Sequence, residues 1–317
     1  LGVFGGGLGG MGGTGTFACR LISSGSLGIE LGLMALGVGP GANVAVCAYD
    51  YPGNFRAIEL LGARPVLVDA ALDSYSISPD SLRDIESDQV DVVIASHLYG
   101  VPAQVAEIDA ICRDKGWNWV EDACQTPLMA IDGRFAGSHG DLGVLSFGGS
   151  KPLTAGNGGA ILTRNPLLVS KLNARLDRPS DATPVSSLQA AALLPQLDRI
   201  AECNRRRADT VRRIVDEVPW IVESLHGICP APSATCYKLA FLSPKRDHIV
   251  DSLIRAGLPV GAGFRSMHRS SKRRCNKIGE LNRSAQLGDQ VCLLDHRALL
   301  AQGDSQDRLI ECLRRFS

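Results

Sequence analysis

Residues 146–160 read SFGGSKPLTAGNGGA and set one lysine, Lys151, among glycines, serines and a threonine. A lysine that only solubilises a surface needs no such setting. A lysine that holds a planar ligand by its nitrogen does, because small residues let the ligand approach the backbone. The chemistry on offer is a Schiff base with an aldehyde cofactor. Taken alone, the stretch reads better as an ordinary glycine-rich turn, so its meaning rests on its company. Ser146, five residues upstream, is within reach of a phosphate. Glu121, Asp122 and Gln125 follow an apolar run in GWNWVEDACQ, where a carboxylate either meets a cationic ligand atom or caps the next segment. Ser24, Gly25 and Ser26 open a helical pattern, and the free N–H groups of a helix start bind phosphate; many helices start this way with no ligand. Tyr49 and Tyr51, in CAYDYPGN, offer rings for stacking on a planar group or for packing at the rim of the core. A lysine, a carboxylate for a pyridinium, hydroxyls at a helix start and a covering aromatic together describe a pyridoxal 5′-phosphate (PLP) site.

These residues must be positioned by the elements around them. NVAVCAY (43–49), RPVLVDA (64–70), VDVVIASHLYG (90–100), WNWVEDA (117–123), GVLSFGG (143–149) and GGAILTR (158–164) are short apolar runs that predict strands. Helical patterns at 55–63, 78–85 and 105–116 alternate with them. Strand–helix alternation predicts an α/β domain with a mostly parallel sheet, whose ligands lie at the carboxyl ends of the strands. From about residue 166 the pattern turns helical, with one long helix broken near Pro195. After it come two strands at 237–244 and 258–264 and two helices, α+β in character. Two units are expected: a large ligand-binding α/β domain over 1–200, with a loop-like, flexible glycine-rich start at 1–15, and a smaller α+β domain over 201–317.

Composition narrows the function. Thirty-three Lys and Arg balance thirty-three Asp and Glu, so no net field favours nucleic acid or an anionic membrane. The local basic run RSSKRRC (269–275) reads as a solvated loop or, less simply, an anion-binding one. Ten cysteines include no CxxC pair, so no metal site is expected; several sit in apolar runs, as in a reducing, cytoplasmic compartment. No stretch has the length of a membrane span. Neither GK[ST] nor a GxGxxG after a strand is present, which argues against a Walker A loop and a dinucleotide fingerprint.

At this point the sequence resembles the DegT/DnrJ/EryC1/StrS aminotransferase family, PLP enzymes of fold type I that act on sugars. The resemblance runs from about Ser23 to the C-terminus. It rests on HLYG (97–100), VEDACQ (120–125), GSHGDLGVLSFGGSK (137–151) and GNGGAILT (156–163). SGSLGIEL (24–31), GARPVLVD (62–69), LQAAALLPQLDRI (188–200), GFRSMH (263–268) and CLLDHRALL (292–300) match further family segments. The resemblance implies a large domain with a mostly parallel mixed sheet flanked by helices, plus a smaller α+β domain. It implies that Lys151 forms the Schiff base and moves the proton between the amino acid's Cα and the cofactor. Asp122 would pair with the pyridinium nitrogen, Gln125 touch the ring hydroxyl, Tyr51 stack on the ring, and Gly25, Ser26 and Ser146 hold the phosphate. His97 and His268 are candidates for touching substrate, His97 reading also as a structural residue at a strand end. The implied reaction moves an amino group from glutamate or glutamine, through pyridoxamine phosphate, to a keto group of a nucleotide-linked sugar or another small ketone. A homodimer with the active site at its interface is expected. Two other readings keep the fold: a PLP lyase or replacement enzyme acting on an amino acid, and a non-catalytic regulator. Two departures bear on the substrate. The family's asparagine before LQAA is Ala182 here, and its Y-x-P-L-H is F-R-S-M-H. Lys151 itself is retained, where some relatives carry histidine and dehydrate sugars.

Overall fold

The computed structural model describes residues 17–177, 184–225, 228 and 235–315. The glycine-rich start and Ala182, both singled out above, lie outside these described residues. In chain order the elements are β1 (Ala18–Ile22), α1 (Gly25–Ala35), β2 (Asn43–Cys47), α2 (Pro52–Leu60), β3 (Arg64–Val68), α3 (Pro79–Arg83), β4 (Val92–Ser96), α4 (Val105–Lys115) and β5 (Asn118–Asp122). A small hairpin, β6 (Ala130–Ile131) and β7 (Arg134–Phe135), precedes β8 (Leu142–Ser146) and β9 (Gly159–Thr163). Four helices follow: α5 (Pro166–Leu176), α6 (Ser187–Leu197), α7 (Ile200–Glu217) and α8 (Pro219–Ser224). The chain ends with β10 (Leu239–Leu242), α9 (Arg246–Arg255), β11 (Val260–Ala262), β12 (Asn276–Lys277), α10 (Asn282–Gln290), β13 (Val291–Leu294) and α11 (Asp304–Arg314).

The large sheet has eight strands in the order β1-β9-β8-β5-β4-β2-β3-β12. From β8 to β12 every pairing is parallel, and β9 runs antiparallel to both β8 and β1. This is the α/β architecture the apolar runs predict. Alternate residues of its central strands enter two different cores, as the two-residue period of a strand requires. Val44, Val46, Val92, Ile94, Val120 and Val144 pack with Ile29, Leu33, Phe55 and Ile58 of α1 and α2. Ala45, Cys47, Val93, Ala95 and Trp119 face the other way, toward Ile108 and Ile111 of α4. A second sheet, β10-β13-β11, is antiparallel throughout and carries its own core around Ile214, Phe241, Leu253 and Leu294.

Several elements depart from the sequence reading, among them the hairpin β6–β7, α8, α10 and β13, which it did not name. β1, in ACRLI, was not expected; it is an edge strand that gains its order by pairing with β9. β12 has two residues, yet it closes the far edge of the large sheet beside β3, so a strand from the last quarter of the chain completes a sheet begun near its start. The helix break expected near Pro195 falls after it, with α6 continuing to Leu197 and α7 starting at Ile200. The basic run at 269–275 packs onto the first half of the chain: Arg274 forms a bidentate pair with Glu59, and Arg64 donates to the carbonyls of Lys272 and Arg273. Among the described residues no helix is long and apolar enough to cross a membrane.

The end of β5 is fixed by a buried carboxylate. Glu121 is fully buried on the Trp119 side of the sheet. Its Oε1 meets His97 Nε2 at 2.8 Å and His139 Nδ1 at 3.1 Å, and its Oε2 accepts the His139 and Gly140 N–H groups at 2.6 and 3.3 Å. His97 Nδ1 accepts the Ala103 N–H at 2.9 Å, so this histidine carries its proton on Nε2. His139 Nε2 faces the Ile131 carbonyl at 3.1 Å, so both its nitrogens face acceptors. Burial works to raise the Glu121 carboxyl, but the bonds from His139 and His97 outweigh it and hold it well below the usual carboxylate range. A depressed carboxyl contributes stability above its unfolded value, about 4.3, and loses it as pH falls through the lower folded value. Replacing Glu121 with Gln removes the buried carboxylate to which two histidines and two backbone N–H groups are bonded and should cost about 3 kcal/mol in urea unfolding at pH 7. The gap to the parent should narrow below about pH 4; a pH-independent gap would place the cost elsewhere than in the carboxylate's charge.

Candidate active site

One step along β5 the alternation turns Asp122 to the opposite face, toward α1. Ser96 ends β4, Asp122 ends β5 and Ser146 ends β8, and these three strands are neighbours in the sheet. Each lies two residues beyond a core residue of the α1 side: Ile94, Val120 and Val144. The three polar side chains therefore share a face at the carboxyl edge. Helix α1 starts at the same place. Its N-cap Ser24 takes the Leu27 N–H on its hydroxyl at 3.1 Å, and the Ser24 carbonyl takes the Gly28 N–H. The helix's leading N–H groups have no partners within it. Gly28 lets the helix lie close on the sheet: a Cβ there would stand 2.7 Å from both Ile22 Cδ1 and Val144 Cγ1. At Gly25 a Cβ would stand 2.9 Å from Cys124 Sγ and from Ser146 Cβ. Any larger residue at position 25 would push Ser146 away from the helix start.

The cavity at this edge has a volume of about 280 Å³. Seven residues expected to bind cofactor, Gly25, Ser26, Tyr51, Asp122, Gln125, Ser146 and Lys151, all line it, with Asn54, Cys124, Gly148 and Asn157 among their neighbours. Asp122 is buried, and its oxygens are already directed: Oδ1 accepts the Cys124 N–H at 3.0 Å and Oδ2 the Asn54 amide at 2.9 Å. Tyr51 is 42% exposed at the mouth, its ring lying over Gly53, where a Cβ would come within 2.1 Å of it. Gln125 accepts the Tyr99 N–H on Oε1 at 2.8 Å, which leaves its amide nitrogen as the donor for a ligand oxygen. Lys151 Nζ lies 5.4 Å from the centre of the Tyr237 ring, and that ring stacks on His296. Cys124 is half-buried beside these groups, and its thiol is pushed well up by desolvation and then by Asp122, which keeps it protonated and inert.

The two histidines go elsewhere. His97 is fully buried with both nitrogens committed, to Glu121 and to the Ala103 N–H, and does not line the cavity. His268 is half-buried in a short 3₁₀ turn (Met267–Arg269), and it too is outside the lining. Burial, then Arg269, pushes its ring toward the neutral form. Tyr49, offered by the sequence as a stacking ring, is fully buried and shares a 2.7 Å hydroxyl contact with Tyr99.

Sequence reasoning missed Asn54, Ser96 and Tyr237. Asn54 is the third residue of α2, in PGNF, where a polar residue reads as part of the turn. Tyr237 comes 86 positions after Lys151, and no local pattern links the two. Tyr99 adopts the left-handed region at φ 62°, and the following Gly100 at φ 87° passes so close to Tyr237 that a Cβ would come within 2.5 Å of its nitrogen. This crossing explains the HLYG motif physically. Replacing Gln125 with Ala removes the acceptor of the strained Tyr99 peptide and should lower unfolding stability by about 1–3 kcal/mol. Differential scanning calorimetry measures this, and an unchanged Tm would show that the Tyr99 N–H finds another partner.

The residues present fit PLP. Hydroxyls at an open helix start suit a phosphate, a buried carboxylate suits a ring nitrogen, an amide suits a ring oxygen, and a lysine stands at the edge. A model of the DegT/DnrJ/EryC1/StrS aminotransferase family matches residues 14–314. Protein MosB of Rhizobium meliloti is 35% identical over 150 residues, 47% of this chain but 30% of that protein, so the chain matches less than a third of this curated relative. A crystal structure of a DegT DnrJ EryC1 StrS aminotransferase from Brucella abortus superposes with a TM-score of 0.86 at 24% identity, covering 99% of this chain and 89% of that one. DesV of S. venezuelae gives 0.82 at 23%, covering 100% and 88%. At such identities these structures establish the fold-type I architecture.

Proposed function

Since this chain belongs to the DegT/DnrJ/EryC1/StrS aminotransferase family, we propose that it is a PLP-dependent aminotransferase whose site is the cavity at the strand ends. It takes an amino group from an amino acid, glutamate or glutamine foremost, and delivers it to the keto group of a sugar, nucleotide-linked, or of a related small ketone. The observation that carries this reading is that Lys151, Asp122, Ser26 and Ser146 line one cavity. When bound, PLP supplies an aldehyde carbon for an amine and a pyridinium ring that draws electrons from the bond broken at the amino acid's Cα. The start of α1, with Ser26 and Ser146, anchors the phosphate. Asp122 holds the proton on the ring nitrogen, its own oxygens fixed by Asn54 and Cys124 N–H. Gln125 orients the ring through its free amide nitrogen, and Tyr51 covers the open face. Lys151 Nζ takes the Cα proton of the amino donor as a general base. The same reading divides the chain into a cofactor-binding unit, 1–200, and a smaller unit, 201–317, supported by the separate core around Phe241 and Leu253.

A homodimer with the cavity at its interface also belongs to this reading. Helix α6 is tied to the cavity's loop, Gln189 donating to the Asn157 carbonyl at 3.2 Å and Gln196 to that of Thr154 at 2.7 Å. On the same helix Leu188 and Leu194 are 81% and 55% exposed, an apolar surface that a second copy would cover.

Absorbance of the PLP-loaded protein, followed on adding L-glutamate, tests the function. The Schiff-base band should fall as the band of pyridoxamine phosphate rises. A band that glutamate and glutamine both leave untouched would sink these donors, and no Schiff-base band with PLP in excess would sink the role of Lys151. Lys151→Ala should abolish the band and slow the half-reaction by at least about 10²–10⁴-fold, the usual share of a general base. Sedimentation velocity should give a dimer that Leu188→Glu together with Leu194→Glu converts to monomer; a dimer unaffected by both would move the interface off α6.

A further inference from the structure

Asp122 is not the only carboxyl buried at the strand ends. Asp50, in the turn after β2, is fully buried and does not line the cavity. Its Oδ1 accepts the Tyr51 N–H at 2.6 Å, and its Oδ2 lies 2.9 Å from Ser96 Oγ. The same hydroxyl is 3.4 Å from Asp122 Oδ2, and Asn54 Nδ2 reaches both Ser96 Oγ, at 3.1 Å, and Asp122 Oδ2, at 2.9 Å. Two acids thus share one hydroxyl, which has a single proton to give. Were both ionised, their facing oxygens would compete for that proton in a site with little water. With a proton on Asp50 Oδ2 every position is filled. Asp50 donates to Ser96, Ser96 donates to Asp122, and Asn54 gives one amide proton to each of the other two.

We propose that Asp50 is a proton-bearing positioning residue that, through Ser96, sets the charge Asp122 presents to the ring nitrogen of the cofactor. The inference rests on the PLP reading above. Burial, and then the neighbouring Asp122, push the Asp50 carboxyl up to about 8, while the Ser96, Tyr51 and Asn54 bonds oppose this. The other titratable groups around it are the thiols of Cys47 and Cys124 and the phenol of Tyr99. All three are pushed well above their ordinary ranges, in each case first by burial. None of them changes charge near neutrality, and Lys151, which lines the cavity with Asp122, is common to the parent and to Asp50→Asn, so a difference between the two that develops there belongs to Asp50. At neutral pH Asp50 is the neutral donor that turns the Ser96 proton onto Asp122, leaving Asp122 as the one anion. As pH rises through the Asp50 transition the proton is lost and a second negative charge appears behind Asp122, which strengthens the hold on a protonated ring nitrogen.

Pyridoxamine phosphate is the probe, because it has no aldehyde and forms no Schiff base with Lys151. Its dissociation constant is measured from pH 6 to 9 for the full chain and for Asp50→Asn; the ratio of the two cancels the ligand's own titration. At pH 6 the two should agree within about threefold, since an amide replaces a neutral acid. By pH 9 the parent should bind close to tenfold more tightly than the variant, as expected if the bound ring strengthens Asp50's acidity about tenfold. Infrared spectra of the parent should show a protonated-carboxyl band at pH 7 that fades by pH 9 and is missing from Asp50→Asn. A flat ratio, or a parent without a fading band, overturns the proposal. Should Asp50→Asn not fold, Ser96→Ala takes its place: cutting the relay should shrink the rise between pH 6 and 9, and an undiminished rise overturns the role of Ser96. No binding of pyridoxamine phosphate by the parent at any pH overturns the PLP reading and the tuning role with it, whereas binding without pH-dependent divergence overturns the tuning role alone.

Discussion

The constraint on which the rest depends is that β5 ends in two adjacent carboxylates, and a strand must send neighbouring side chains to opposite faces. Glu121 enters the core on the α4 side and Asp122 enters the cavity on the α1 side. Neither burial is tolerable without partners, and the fold supplies a different set for each. Glu121 receives two histidines and two backbone N–H groups. Asp122 receives an asparagine, a serine and one backbone N–H. The first set is closed and holds the strand end in place. The second leaves the carboxylate facing a cavity, where a cationic atom of a ligand completes its environment.

The parallel order of β2, β4, β5 and β8 follows from the same requirement. Only adjacent strands running in one direction bring Asp50, Ser96, Asp122 and Ser146 to a common edge. The antiparallel β9 then returns the chain beside β8, so that the glycine-rich loop carrying Lys151 hangs over that edge. The loop is held by its own backbone, Gly149 N–H to the Gly156 carbonyl and Ala155 N–H to that of Phe147, both at 2.8 Å. From the later part of the chain, Tyr237 lies under Lys151 and Phe264 stacks on Tyr99 at 5.9 Å. The cavity itself is lined by residues 24–157, and the later part of the chain packs against Lys151 and Tyr99 from outside the lining.

His97 shows how a motif can mislead about role. HLYG stands at the end of a strand near the site, which made His97 a candidate for touching substrate. Its ring instead turns to Glu121, and the left-handed backbone of Tyr99 and Gly100 carries the chain past Tyr237. The motif is accounted for by packing and by a buried hydrogen bond to a carboxylate. Gly25 and Gly28 likewise reflect how closely α1 sits on β8.

What the sequence by itself determined is what is local. Apolar runs and their caps marked the central strands and helices, and the small-residue loop marked Lys151. The strand ends marked Asp122, Gln125 and Ser146, since a polar residue just after a buried strand has few other places to go. What only the tertiary structure decided is what joins distant segments. β12, with two residues, is too short to signal itself, and β1 is only partly buried along most of its length; both exist because a sheet edge pairs with them. The Asp50–Ser96–Asp122–Asn54 network joins residues up to 72 positions apart, and apart from Asp122 each is an unremarkable polar residue in the sequence. Their partnership is set by strand order and by the two-residue period of the sheet, and strand order is a property of the packed chain that no single stretch of it contains.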